Sequence, residues 1–461
     1  MLFIIPKYVC SFIMANSLQV DVSYKQVLKI ALPISLALLV PQFNFIINNI
    51  FLGHLSEQAL ATASITGVYY LIFTGIGWGL NNGLQALVSR RAGENRPEEI
   101  GRLFDQGILI SMLIAVAGIS ITYFIAPFIL KATIREPVIY EKAISFLRIR
   151  IWGLPFLFIY QMRNALLVGI NQSRYLVIGT LAEAVSNIFF DYTFIFGKWG
   201  FPQIGFNGAA YSSIISEFLG MFVIFIIISS KGITKQFSLF KDWKWSSHNA
   251  SLITKMSGPL VFQSAISIIA WAFFYILVEH HGQQSLAVSN TMRNIFGFFG
   301  VFVWAFASTS NSMVSNVIGQ GRNKEVFNVI KKIVHLSLGF TFLIFLALNI
   351  FPNAWLSIYG QSGEFIAAGI PVLRVVASAL LIMSVSTIWL NAVTGTGNTR
   401  VTFIIEVFAI VFYCVYVYLV LEVYQLSIVW GWMSEFLYWI VLFTLSYWYL
   451  KKGKWAEKKL H

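Results

Sequence analysis

Long apolar runs recur along the whole chain of 461 residues, and they constrain its fold more than any other feature of the sequence. Clear examples are residues 108–130, 211–228, 336–350 and 401–421. Each run is close to the roughly 20 residues that an α-helix needs to cross a bilayer. Only 11% of the residues are charged, whereas soluble domains carry about 25%. The sequence therefore predicts an integral membrane protein and excludes a water-soluble fold.

The apolar runs favour helices over a transmembrane barrel. Backbone groups in lipid are satisfied only in helices or closed barrels, and these runs lack the alternating pattern of barrel strands. We therefore predict an all-α integral membrane protein with about twelve transmembrane helices. The predicted spans are residues 27–52, 60–84, 104–128, 146–170, 176–197, 208–229, 254–279, 286–313, 333–356, 370–392, 401–421 and 428–450.

The basic residues are distributed unevenly about these spans. When residues near a span end are counted with the adjacent side, 23 of the 32 lysine and arginine residues fall on the side that holds both termini and 7 on the other side, while Arg163 and Arg293 lie well inside spans. Because basic residues concentrate in cytoplasmic loops, we expect both termini to be cytoplasmic in a plasma (inner) membrane protein. The net charge of +13 is thus a topology signal, and we expect no nucleic-acid partner.

The sequence repeats itself at one fixed offset, which runs without a gap through the first four helices of each half. Matched pairs include Pro33 with Pro259, His54 with His280, Gly93 with Gly319, and Arg96 with Arg322. Because each half holds six spans, both copies enter the membrane in the same orientation. We predict an N-terminal cytoplasmic segment (1–26), a six-helix lobe (27–229), a cytoplasmic linker (230–253), a second six-helix lobe (254–450) and a cytoplasmic tail (451–461). The two repeat lobes are expected to enclose a central cleft.

Four local patterns, in order along this duplicated frame, resemble the multidrug and toxic compound extrusion (MATE) family of efflux transporters. The first is the segment 85–93, which is echoed at 311–319. The others are Gly153-Leu-Pro-Phe156 followed by the segment 169–174, then Asn187-Ile-Phe-Phe-Asp191, then Gly205-Phe-Asn-Gly-Ala-Ala210. The resemblance covers nearly the whole chain.

The resemblance implies a multidrug antiporter that exchanges amphiphilic organic cations or drugs for H⁺ or Na⁺ and needs no other cofactor. Pro33 would bend the first helix, and Asn48 would line the cleft at a position where one branch of the family has an aspartate. An acidic pair that another branch carries on spans 7 and 10 is also missing. The residues there are Gln263, Ser264, Ser267, Ser384, Ser386 and Thr387. The lipid bilayer surrounds the carrier, and we expect it to act as a monomer.

Span 5 carries a polar stripe. Thr180, Glu183, Asn187 and Asp191 are spaced by three, four and four residues, so they lie along one face of a helix. An ionisable group within a bilayer costs roughly 2.5–3.5 kcal/mol, which makes each one a functional hypothesis. We predict that Asp191 binds the coupling cation with Asn187 beside it. The alternative is an acid paired for structural reasons.

Other intramembrane charges leave two interpretations each. Arg163 on span 4 lies at the depth of Glu183, which predicts an Arg163–Glu183 ion pair and a mainly structural Glu183. Glu217 and Glu435 occupy equivalent positions in the two repeats, so they either share a packing role or act in the cleft. Glu406 either replaces the missing acidic pair or binds a neighbouring side chain.

Two other functions compete with drug export. A lipid-linked oligosaccharide flippase of a related fold would need a cleft rich in arginine and lysine facing pyrophosphate, yet only Arg163 and Arg293 lie away from the ends of the predicted spans. An intramembrane enzyme is the more distant alternative. The chain carries no His-Glu-x-x-His, Gly-x-Ser-x-Gly or Walker lysine motif, so we expect neither catalysis nor a metal site.

Overall fold

The computed structural model describes residues 18–241, 243–359 and 362–457. Within these ranges all regular secondary structure is helical, which confirms the predicted all-α fold. Positions 1–17 of the predicted N-terminal segment and positions 458–461 of the predicted tail lie outside the described residues.

Twelve long helices run through the described ranges. They are α1 Tyr24–Leu55, α2 Glu57–Gly93, α3 Pro97–Phe124, α4 Pro137–Gly169, α5 Arg174–Phe196, α6 Phe206–Ser230, α7 Ser247–Glu279, α8 Gln283–Gly319, α9 Asn323–Ile350, α10 Gly363–Gly395, α11 Thr399–Val423 and α12 Ile428–Lys451. By length and composition, eleven of these described helices are apolar enough to cross a membrane. The remaining helix is α5, which carries the polar stripe.

Helix ends follow local sequence signals. Pro97 opens α3, where it needs no hydrogen-bond partner, and Glu98 and Glu99 complement the helix dipole. α5 ends at Gly197, whose φ of 66° favours glycine. α4 begins at Pro137, well before the predicted start at residue 146, because hydropathy detects only the apolar part of a helix.

The described residues divide into two compact units. One, which we call the N-lobe, comprises residues 36–91 and 96–257; the other, the C-lobe, comprises the described residues before 36, residues 92–95 and those from 258 onward. The division falls inside α1, two residues after Pro33. α1 is continuous through Pro33, and the bend predicted there stays a prediction.

Close packing of α5 against α6 fixes the direction of the polar stripe in the N-lobe. A Cβ atom at Gly220 would lie 2.8 Å from the Cβ of Glu183, and one at Gly208 would lie 2.8 Å from the carbonyl carbon of Phe194. Glycine at such contacts lets membrane helices approach closely, where van der Waals packing stabilises them. The stripe is therefore held against α6 and cannot turn toward lipid.

Candidate ion-coupling site

The polar stripe of α5 faces the interior of the N-lobe. The side chains of Thr180, Asn187 and Asp191 are at most 3% exposed, and Glu183 is half-buried. The Thr180 hydroxyl donates a hydrogen bond to the Leu176 carbonyl of its own helix at 2.9 Å, so its donor is satisfied within α5. The other three stripe residues face neighbouring helices.

Asn187 connects three helices through its side-chain amide. Its Oδ1 accepts from Asn44 Nδ2 at 2.7 Å and from Asn48 Nδ2 at 3.0 Å, both on α1. Its Nδ2 donates to Ser212 Oγ on α6 at 2.9 Å, and Ser212 Oγ donates to the Asn187 carbonyl at 3.0 Å. The amide therefore links α1 and α6 to the stripe.

Asp191 meets α1 at Asn48. Its Oδ2 lies 2.6 Å from one end of the Asn48 amide. If the amide nitrogen faces Asp191, it donates to the ionised carboxylate; if the amide oxygen faces Asp191, the hydrogen bond requires a proton on the carboxyl. Among the described residues no cationic side chain pairs with Asp191, and its Oδ1 has no hydrogen-bond partner. Asp191 can therefore be an ionised carboxylate that accepts a hydrogen bond from Asn48 or a protonated carboxyl that donates one to it.

Arg150 and Glu217 form the ion pair nearest to the stripe. Arg150 on α4 donates Nη1 to Glu217 Oε2 at 3.0 Å and Nη2 to Glu217 Oε1 at 2.5 Å, and each side chain is 12% exposed. The guanidinium also lies 4.0 Å from the centre of the Tyr70 ring, in a cation–π contact. Glu217 is thus neutralised by a bidentate partner.

The predicted Arg163–Glu183 ion pair is wrong. Arg163 lies 4.1 Å from the centre of the Tyr160 ring and donates to Asn164 Oδ1 at 3.0 Å, while no salt bridge joins it to Glu183 among the described residues. Arg163 and Glu183 were paired because they were expected to lie at a similar depth in the membrane. In the structure Arg163 points at Gly179, one turn before Glu183. A Cβ at Gly179 would lie 3.0 Å from Arg163 Nη1.

A polar cavity of about 200 Å³ adjoins the stripe within the N-lobe. Four helices line it, with Pro41, Asn44, Phe45 and Asn48 from α1, Arg150 from α4, Glu183 and Asn187 from α5, and Ser213, Ser216 and Glu217 from α6. Because Glu217 already neutralises Arg150, Glu183 gives the lining a net negative charge when it is ionised. Asn48 and Asn187 connect the cavity to Asp191.

The remaining predicted acids lie in the C-lobe, and their surroundings differ from those of Glu217. Glu406 on α11 is 2% exposed and accepts hydrogen bonds from Gln263, Ser267 and Tyr438. Glu435 on α12 is 4% exposed and accepts from Trp439 Nε1 at 2.9 Å. Neither forms a salt bridge with a described residue, so Glu435 and Glu217 do not share one packing role despite their repeat equivalence.

Sequence reasoning missed Arg150, Asn44 and Ser212 as members of this site. Arg150 lies only four residues inside the predicted span 4 and was counted with the outer side, whereas the helix begins at Pro137 and carries Arg150 well within it. Asn44 is four residues before Asn48, so their helical spacing was an available signal. Ser212 carries no such signal, since hydroxyl side chains are frequent throughout the chain.

The chain matches known proteins along most of its length. Residues 33–193 match the MatE family model, and residues 259–419 match it again. The two ranges start and end at the offset that pairs Pro33 with Pro259, which supports the internal repeat.

One relative is described as a probable multidrug resistance protein NorM from Thermotoga maritima. It is 22% identical over 441 residues, which cover 94% of this chain and 93% of the relative. Two solved structures have the same fold. A crystal structure of MATE in complex with MaL6 has a TM-score of 0.89 at 16% identity, covering 96% of this chain and 99% of the other. A MOP superfamily transporter from Pyrococcus furiosus, described as having a binding pocket of reverse polarity that suggests a different function, has a TM-score of 0.87 at 15% identity, with coverage of 96% and 99%.

Proposed function

We propose that this chain, which belongs to the MatE family of membrane transporters, exports amphiphilic organic cations in exchange for H⁺ or Na⁺. The name of the Thermotoga maritima relative, a probable multidrug resistance protein, supports drug-like substrates. The excess of basic residues on one side supports cytoplasmic termini in the plasma (inner) membrane. An exporter then takes its substrate from the side that holds the termini.

The contact between Asp191 and Asn48 carries the proposal of ion coupling. A proton on Asp191 reverses the polarity of that contact, because the carboxyl then donates to the amide oxygen instead of accepting from the amide nitrogen. Rotation of the Asn48 amide also changes the hydrogen bond between Asn48 and Asn187. The Asn187 amide is in turn hydrogen-bonded to Asn44 and Ser212. Protonation thereby rearranges hydrogen bonds between α1, α5 and α6.

Sodium fits the same oxygen atoms. A hard cation prefers carboxylate, amide and hydroxyl oxygens, and Asp191, Asn48, Asn187 and Ser212 offer these within one network. Either ion neutralises the one carboxylate there. We therefore assign Asp191 as the coupling residue and leave the choice of ion to the efflux experiment below.

We assign the cationic end of the substrate to the N-lobe cavity. Glu183 lines it, and Arg150 contributes no net charge because Glu217 pairs with it. A cation entering the cavity meets Glu183 directly and Asp191 through Asn187 and Asn48. Cation binding favours ionised carboxylates and proton binding removes their charge, so the two ligands oppose each other.

The charge balance sets the driving force. When one monovalent cation leaves for each proton that enters, the electrical work cancels, and the pH gradient drives export at about 1.4 kcal/mol per pH unit. For a neutral substrate the membrane potential adds about 2.3 kcal/mol per 100 mV.

Efflux of ethidium from energised cells tests this function. Imposed proton and sodium gradients are applied separately to the wild type, Asp191→Asn and the exposed control Glu141→Gln. We expect efflux in the wild type and control to follow one of the two gradients and to be lost in Asp191→Asn at equal expression. If the wild type moves no cationic dye under either gradient, the exporter proposal fails and the flippase alternative is favoured.

The N-lobe cavity does not favour that alternative. A pyrophosphate group needs unpaired basic side chains. Arg150 is the basic residue among the described lining residues, and it is bound to Glu217 on two atoms. Arg163 is 3% exposed, points at α5 and is not part of the lining.

A further inference from the structure

The C-lobe encloses a carboxylate that the proposed coupling site does not use. Glu406 accepts Gln263 Nε2 on Oε2 at 3.1 Å, Ser267 Oγ on Oε1 at 2.9 Å, and the Tyr438 hydroxyl on Oε1. Three neutral donors from α7 and α12 thus converge on an acid that is 2% exposed. No described cationic group lies within salt-bridge distance, so a proton is the direct means of neutralising it.

Ser267 is placed to serve both protonation states of Glu406. Its Oγ lies 2.9 Å from Glu406 Oε1 and also 2.9 Å from the Gln263 carbonyl oxygen. A hydroxyl has one hydrogen to donate and can also accept. When Glu406 is ionised, Ser267 donates to it; when Glu406 is protonated, Ser267 accepts from it and donates to the Gln263 carbonyl. Either state is satisfied without moving a heavy atom.

A small cavity connects this cage to a second buried acid. The cavity measures about 20 Å³, and its lining includes Ser267, Tyr438, Tyr413 and Glu435. Roughly 10–15 Å³ and two to four polar partners suffice for one water molecule. Glu435 is 4% exposed; its Oε2 accepts from Trp439, and no described hydrogen bond reaches its Oε1. The cavity is thus lined by one acid, Glu435, and by two of the hydroxyl donors to the other acid, Ser267 and Tyr438.

We propose that Glu406 and Glu435 form a proton-exchanging pair in the C-lobe, linked by Ser267 and one water molecule in this cavity. The Glu435 O–H bond breaks and its proton passes to the water, which gives another of its protons to Ser267 Oγ. Ser267 passes its own proton to Glu406 Oε1, where a new O–H bond forms. One acid is deprotonated as the other is protonated, and no other reactant takes part.

The two acids lie on helices that start at opposite faces of the membrane. Glu406 lies seven residues from the start of α11 and Glu435 seven residues from the start of α12, each about 10 Å along its helix. Successive helices run in opposite directions, so exchange between them moves a proton through the middle of the lobe. The use of this step in export rests on the proposed function, whereas the exchange itself does not.

Other titratable groups around the pair are mostly neutral phenols. Tyr413 and Cys414 lie on α11, Tyr438 on α12 and Tyr275 on α7. Arg293 on α8 lies 5.2 Å from the centre of the Tyr275 ring, and no described cation forms a salt bridge with Glu406 or Glu435. The charged residues of α10, Glu364 and Arg374, are exposed. These groups leave the pair without a fixed countercharge.

Infrared difference spectra of the full-length protein in lipid, recorded across a pH change, test the pair directly. Protonated carboxyl groups give carbonyl bands in these spectra. A band that is lost in a Glu→Gln variant is assigned to the substituted residue. We expect Glu406→Gln and Glu435→Gln each to lose one pH-dependent band, and Glu435→Gln to alter the titration curve of the Glu406 band as well. A Glu406→Gln spectrum identical to that of the wild type would overturn the proposal, and an unaltered Glu406 titration in Glu435→Gln would overturn the link.

Two serine variants keep the test independent of a failure to fold. Ser267→Ala removes the shared hydroxyl, so the Glu406 band should shift in frequency. The control Ser264→Ala removes a hydroxyl that donates to the Leu260 carbonyl at 3.1 Å, one turn away, and should leave the band in place. If both serine variants leave the band unmoved, Ser267 is not the link and the proposal is overturned. Dye efflux is not needed, so these outcomes are separate from failure of the exporter proposal.

Discussion

Asn187 is the residue on which the N-lobe hydrogen-bond network depends, because its amide serves Asn44, Asn48 and Ser212 at once. In Asn187→Ala these partners lose their bonds within a buried site. Leaving a buried polar group unsatisfied costs about 1–3 kcal/mol. We expect a clear fall in the free energy of unfolding, measured by denaturation in detergent. The control Asn207→Ala removes an exposed bond to Ser145 and should change stability much less; equal losses in both variants would contradict the buried network.

Gly153 leaves space for the Arg150–Glu217 ion pair. A Cβ at this position would collide with Arg150 Nη1 and would lie 2.5 Å from Glu217 Oε2. Gly153→Ala should therefore displace the pair and lower the free energy of unfolding by about 1–3 kcal/mol, which is typical of overpacking. At Gly339 nothing lies within 4 Å of the added Cβ, so Gly339→Ala is the matched control. Thermal unfolding that is equally affected by both substitutions would count against this packing.

For single residues, the sequence predicted the helix face on which a side chain lies better than the side chain that it contacts on another helix. The three- and four-residue spacing of the α5 stripe placed Asn187 and Asp191 inward, because periodicity depends on one helix alone. The Arg163–Glu183 pair failed, because equal depth does not specify the direction in which a side chain leaves its helix. Arg150 on α4 contacts Glu217 on α6 and Tyr70 on α2, and a single sequence contains no measure of that geometry.

At the scale of elements, a polar contact joins the ends of α7 and α11. His280 Nδ1 lies 2.9 Å from Glu422 Oε2, beyond the apolar part of α7. The hydrogen bond that the protonated His280 donates to the Glu422 carboxylate raises the pKa of His280 above its usual value. Both side chains are substantially exposed, so solvent and salt screen the pair.

This raised pKa has a defined consequence for stability. The folded protein holds the His280 proton more tightly than the unfolded chain, so the pair stabilises the fold below the ordinary histidine pKa of about 6.5. The contribution disappears as the pH rises through the raised value. We expect His280→Gln to lower the unfolding temperature slightly at acid pH and not at alkaline pH. The control His54→Gln removes a contact to the Ile50 carbonyl of its own helix; a deficit of His280→Gln confined to alkaline pH would reverse the predicted sign.

Helix number and repeat were predictable, whereas helix ends were not. Apolar runs are long enough to count, and the fixed offset between the two halves recurs in the two ranges that match the family. The C-terminal end of α2 and the N-terminal end of α4 carry charged residues, so the apolar pattern stops before the helix does. Because Arg150 lies near the predicted start of span 4, it was counted with the outer side, although it lines the N-lobe cavity.

At the scale of the whole molecule, the topology follows from the order of the helices. Gly93 ends α2, and Gly205 precedes α6 by one residue. Three helices lie between these positions, so they should fall on opposite sides of the membrane. Reporter fusions at the two glycines should give opposite signals, with the cytoplasmic signal at Gly93. Equal signals at both positions would refute the membrane topology.

The exported cation and the coupling ion are proposed to oppose each other through Asp191. Proton release on ethidium binding by the purified protein, measured in weakly buffered detergent solution without sodium, tests this antagonism for the proton. We predict release by the wild type and by Glu141→Gln, ethidium binding that weakens as the pH falls, and no release by Asp191→Asn. Ethidium binding that releases no proton, with an affinity that sodium does not change either, would contradict the claim; proton release that persists in Asp191→Asn would contradict the assignment of the residue.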